Sequence, residues 1–237
     1  MSSVFMLTLR QLGGGLRLAI MAVLATLPVV IASINVRIPR APSAAEFETY
    51  VLNAMLSGSI TPLVVLAIAT TAFGHEVEDR TLANLTLSPV PRWQIALPKL
   101  LATATIAAAF IGASALVTTH VAFVGDTTAT VAVTLSAIVA VSLYAAFFVW
   151  LGLVTTQAIA IGLLYIVLWE GFFSGFVSGV RVLSIRHYSI SLMHGLDPRR
   201  FSEADTLGLG MTLAVSAAVL GGFLLLTSRK LRRMDVP

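Results

Sequence analysis

Glu76, Glu78, Asp79 and Arg80 crowd into five consecutive positions of the stretch HEVEDRTLANLTLSPVPR, residues 75 to 92. Carboxylates beside a histidine are the residue types of a hydrolytic zinc site. The order His-Glu-Val-Glu-Asp, however, puts Asp79 where a second histidine would have to share the helix face, and two ligands do not make a site. No metal is expected there. A phosphate-cradling loop needs glycine-rich backbone and a lysine after glycine, whereas Lys99 follows Pro98 and Lys230 follows Arg229. There is no Gly-x-Ser-x-Gly elbow and no cysteine, so serine-hydrolase and thiol chemistry have no residues to run on. No catalytic residue and no resident cofactor is expected.

What the stretch can do is recognise. Carboxylates at Glu76, Glu78 and Asp79 favour the start of a short helix, opposing the partial positive charge of its first amides. Leu82 and Leu85, three apart, would share one side. Pro89 and Pro91 would stop the helix. An element with exposed leucines, acidic at one end and ending on Arg92, fits a groove on a partner. A solvated loop kept out of an apolar phase by its charges fits the same residues.

Such a segment needs elements to hold it, and the composition says which. Of 237 residues 57% are hydrophobic and 11% charged, and the mean hydropathy is +0.94. A water-soluble surface cannot be built from that; the chain is an integral membrane protein. The pI near 10.0 does not signal nucleic acid. Lys99 and Lys230 are the only lysines, and the arginines are scattered among apolar runs rather than gathered in a stripe.

Roughly 20 apolar residues cross a bilayer as a helix, because lipid offers no partner for backbone N–H and C=O groups. Such runs predict an all-α single transmembrane domain over residues 1–237, with six spans near 18–34, 51–73, 100–124, 128–150, 157–177 and 206–228. Between Asp126 and Glu170 no charge appears, far too long for one crossing, and the turn is placed at the polar stretch 152–157. Pro28 and Pro62, mid-span, are candidate kinks. Residues 1–17, with Arg10 and Arg17 seven apart, form either an amphipathic helix along the interface or a frayed basic lead-in weakened by Gly13, Gly14 and Gly15. Six spans put both termini on one side. With that side cytoplasmic it holds nine of the fifteen basic residues, including Arg229, Lys230, Arg232 and Arg233 directly against a span end, as the positive-inside rule requires.

Glu170 is the one carboxylate inside an expected span. It either lines a translocation route or fixes an outer gate, or it sits beside Trp169 at the interface and reaches water. Gly171, Gly175 and Gly179 allow a close helix contact or a re-entrant turn. His187 and His194 fall in the outer loop and are expected to be solvated or interfacial. The sequon at Asn84-Leu85-Thr86 is a chance match on a cytoplasmic loop.

The run Glu76, Glu78, Thr81, Leu82, Leu85, Pro89, Val90, Arg92, with Lys99 opening the next span, resembles ABC transporter permeases of type 2. The six-span layout and the long loop before the last span are similar too. Arg80, Pro91 and Pro98 depart from the residues common there. The resemblance implies a short cytoplasmic coupling helix between spans two and three, contacting a separate ATP-binding subunit through Glu76, Glu78, Asp79, Arg80, Thr81, Leu82, Leu85, Pro89 and Arg92. It implies a partly helical outer loop between spans five and six, ATP and Mg bound by the partner subunit, and a second permease chain in a plasma-membrane exporter. A self-contained secondary transporter or channel-like protein is the alternative; it would be expected to carry intramembrane charge relays and repeated, broken helices.

Overall fold

The computed structural model describes residues 2–12, 14–38, 43–73, 91–173, 183–201 and 206–233. Among them every regular element is a helix: α1 (Ser2–Leu12), α2 (Gly15–Asn35), α3 (Ala44–Phe73), α4 (Trp93–Ala122), α5 (Thr127–Val154), α6 (Ala158–Leu164 running on through Tyr165–Phe173), α7 (Ile185–Leu196) and α8 (Leu209–Arg233). Helices α2, α3, α4, α5 and α8 are long and apolar enough to cross a membrane. The fifth expected span, 157–177, corresponds to α6, whose apolar stretch Ala158–Phe172 is only about 22 Å long at the helical rise. The turn expected at 152–157 falls at Thr155–Gln157.

Two spans start earlier than hydropathy suggests. α3 begins at Ala44 because Ser43 and Glu46 form a capping box: the Glu46 amide donates to the Ser43 hydroxyl (3.2 Å) and the Ser43 amide to the Glu46 carboxylate (2.7 Å). α4 begins at Trp93, so Pro98 and Lys99 lie inside a helix rather than in the preceding loop. α5 starts on Asp126, whose carboxylate accepts from the Ala129 amide at 3.0 Å. The turn before it uses Gly125 at φ 86°, a left-handed conformation that glycine adopts without steric cost. Along the spans, hydroxyls fold back onto carbonyls one turn earlier, as Thr103 does onto Lys99 (2.9 Å) and Thr134 onto Thr130 (2.7 Å), which hides their polarity from lipid.

From Glu48 to Ile60, α3 is wound wider, in π-helical turns. Such winding is rare and concentrates at functional positions. Pro62 follows directly and has no N–H to offer the turn before it.

Side-chain contacts set the directions of the helices. Ala22, Ala25 and Val29 of α2 line one cavity with Ala109, Ala113 and Val117 of α4, and the finishes of the two helices, Ala32 and Asn35 with Ala122, line another, so these two run parallel. Phe223 of α8 meets Phe147 (5.3 Å) and Trp150 (5.6 Å) late in α5, while Leu209 touches Gly195 at the other end. One end of the bundle, the near end, therefore gathers the starts of α2 and α4 and the finishes of α3, α5 and α8. The far end holds the turn 123–126 and α7. α3 and α5 are central, with Tyr144, Phe148, Leu143 and Leu52 fully enclosed, whereas α2 and α8 present apolar side chains such as Val23, Met211 and Leu225 outward. Residues 2–12 are helical and packed against α4 with Leu12 buried, which replaces the frayed reading of the N-terminal segment.

Candidate functional site: buried charges around a short helix

At about 18 Å, α7 is too short to cross a membrane. It nevertheless collects the buried ionisable groups of the far end. Its first turn is capped by Ser184, whose hydroxyl accepts from the His187 amide at 3.2 Å. The Ser184 hydroxyl also donates to Glu170 Oε2 of α6. Glu170 Oε1 accepts from the Tyr165 hydroxyl at 2.8 Å and from the Ile185 amide at 3.0 Å. That amide is among the first N–H groups of α7, which have no acceptor within their own helix. A carboxylate there satisfies a donor and opposes the helix dipole at once.

Glu170 is 0% exposed. The reading in which it reaches water at the interface is thereby corrected, for the physical reason that three protein donors replace the water it would otherwise need. Burial, and secondarily the nearby Glu170 carboxylate, raise the Tyr188 phenol above its ordinary value and keep it neutral.

The other end of α7 reaches α3. Glu48 Oε1 lies 3.0 Å from His194 Nε2, and both side chains are buried. With the imidazole protonated the two form an ion pair away from water. His194 is thus not solvated, as its place in an outer loop suggested. The spacing of Ile190 and His194, one helical turn apart, is the signal that could have placed it on the buried face. Phe201 stands 5.9 Å from His194 and 6.4 Å from Phe123, which in turn meets Phe47 edge-on at 5.5 Å. In between, Arg186 of α7 passes over Gly58 in the wide stretch of α3, where an added Cβ would come within 3.2 Å of the guanidinium. α7 is therefore fastened to α3 through Glu48 and Gly58 and to α6 through Glu170.

Of the residues proposed for partner contact, Glu76, Glu78, Asp79, Arg80, Thr81, Leu82, Leu85 and Pro89 lie outside the described residues, as do Gly175 and Gly179. Arg92 is described. It sits immediately before α4, half-buried, and its carbonyl accepts the Ile95 and Ala96 amides, both at 3.1 Å. Phe73 and Trp93, which flank the segment, are both at the near end. Lys99, which the family resemblance sets at the opening of the next span, is buried there against the last described turn of α3. No group of three or more His, Asp or Glu residues arranged for a metal occurs among the described residues.

Apolar helices of membrane length with ionisable side chains buried between them define a multi-pass helical membrane protein. The chain belongs to the ABC-2 family of transporter proteins, whose family model matches residues 16–185. No curated protein matches the chain. Family membership makes it the membrane component of an ABC transporter, a multi-pass permease with an ATP-binding partner.

Proposed function

We propose that this chain is the permease subunit of an ATP-driven exporter: one transmembrane domain over residues 1–237, six spans with α6 as the fifth, both termini cytoplasmic, in a plasma membrane. Two such chains work with two ATP-binding subunits, and a two-fold pair is the commonest closed assembly. The ATP-binding subunits hold ATP and Mg; this chain holds neither. Segment Glu76–Arg92 is the contact with the ATPase. Leu82 and Leu85 supply apolar docking, and Glu76, Glu78, Asp79, Arg80 and Arg92 supply polar complementarity, with Thr81 and Pro89 shaping the short helix between them.

Closure of the ATP-binding pair pushes on that segment, and the spans exchange the side to which the central route is open. ATP drives this by binding the two states unequally. At the far end, Glu170 fixes the outer gate by tying α6 to the first turn of α7.

The observation that carries this reading is the family match over residues 16–185. It is supported by a bundle whose near end gathers Phe73 and Pro91, the described residues on either side of positions 74–90, together with Arg229, Lys230, Arg232 and Arg233 of α8. The experiment is copurification. The unsubstituted permease brings down an ATPase carrying a Walker A motif, and Leu85→Asp abolishes that complex while the chain still inserts in the membrane. Transport by the isolated chain with no nucleotide hydrolysis in the system would overturn the reading and favour a secondary transporter.

A further inference from the structure

Lys99 is 2% exposed and sits inside α4, a helix of membrane length. A lysine in an apolar helix normally extends toward the interface, since a charge held in hydrocarbon costs several kcal/mol. Lys99 instead turns into the bundle. Its ammonium donates to the carbonyl of Ala72 and stands 4.4 Å from the ring centroid of Phe73, both in the last described turn of α3. Ala72 and Phe73 are themselves buried. A cation on a backbone carbonyl and over an aromatic face is favoured twice, by the carbonyl dipole and by the ring quadrupole, more so where water is excluded.

The same turn of α3 is gripped from a second side. A Cβ on Gly152 of α5 would lie 2.7 Å from the Thr70 carbonyl oxygen and 3.1 Å from the Thr70 Cα, so two backbones meet there with no side chain between them. One turn earlier, Leu66 fills the space that a side chain on Gly162 of α6 would need. The end of α3 is thus pinned to α4 by one charge and to α5 and α6 by two absent side chains.

We propose that Lys99 is the positioning residue that makes α3 and α4 respond as one rigid body to the ATPase. Residues 73 and 93 are the two points at which force on the intervening segment enters the bundle. If α3 could slide against α4 at this level, displacement would be absorbed locally. With the ammonium tying them and Gly152 pressing α3 on α5, displacement passes to the central helices. This inference rests on the proposed role of the segment 76–92.

The test uses the assembled permease–ATPase complex in proteoliposomes. Lys99→Met keeps the length and apolar stem and removes the charge. Because the chain has no cysteine, Thr49→Cys and Val124→Cys, both exposed far-end sites, carry spin labels that report the ATP-driven change. The ATPase still copurifies with Lys99→Met and hydrolyses ATP, but the far-end distance change is lost and transport per ATP falls about fivefold or more. Lys99→Arg restores part of both. Phe73→Leu, which retains burial and removes the ring, shifts both readouts in the same direction. An unchanged distance response and unchanged transport per ATP in Lys99→Met overturn the proposal. So does loss of the ATPase from the Lys99→Met complex, which would make the residue an assembly determinant. Failure of the unsubstituted chain to bind an ATPase overturns the permease reading instead, and is seen before any Lys99 variant is made.

Discussion

Glu170 is where a single atom's chemistry can be followed into the fold. Its two oxygens serve Tyr165, Ser184 and the Ile185 amide, so it closes α6 onto the start of α7. Glu170→Ala leaves those donors without an acceptor, at about 1–3 kcal/mol for each one left unsatisfied. Glu170→Gln keeps a carbonyl oxygen and loses the charge. The expected order of thermal stability in detergent is therefore wild type, then Gln, then Ala, read from unfolding midpoints. Should Glu170→Gln transport at the wild-type rate at full expression, the carboxylate is a structural clasp and has no part in gating. That a carboxylate stood inside an apolar run was legible from residues 157–177 alone. Its burial was not, because a glutamate beside Trp169 has the same local sequence whether it extends to water or folds inward onto a helix that begins fifteen residues later.

At the scale of elements, α7 acts as a strut wedged between α3 and α6. Its ties to α3 are the Glu48–His194 pair and the passage of Arg186 over Gly58. Removing one partner of a buried pair is costlier than removing both. His194→Ala is expected to lower stability, and the double variant Glu48→Gln with His194→Gln to lower it less than that single change. Chemical or thermal unfolding of the purified variants checks the order. A parallel expectation holds at the near end, where Gly152→Val forces a branched side chain onto the Thr70 backbone. It should reduce the yield of folded protein more than Gly221→Val on α8, whose Cβ meets nothing within 4 Å. Spans were readable as elements because twenty apolar residues are a local property. Their starts were less so: the capping box at Ser43 and Glu46, and the helical turn that carries Pro98 and Lys99, both place polar residues inside helices where hydropathy sets a boundary.

For the whole molecule, the parallel run of α2 and α4 and the course of α8 put the starts of α2 and α4 and the finishes of α3, α5 and α8 at one end, and α7 at the other. Two single-cysteine variants convert this into a topology measurement. Val124→Cys, at an exposed far-end turn, should react with a membrane-impermeant maleimide added outside intact cells. Thr81→Cys should react only after the membrane is opened. Reversal of that pattern would place the 76–92 segment on the outer face and remove the basis for contact with a cytoplasmic ATPase.

The amino-acid sequence by itself determined that this chain lives in a membrane, that it is helical, and roughly where its long apolar helices fall. Those outcomes follow from the cost of exposing backbone polar groups to lipid, a cost paid residue by residue along the chain. Tertiary structure alone decided which of its few charges became buried partners. Glu48 and His194, Glu170 and Ser184, and Lys99 and Ala72 are separated by many residues. Each pair becomes favourable only once helix packing excludes water from both members together.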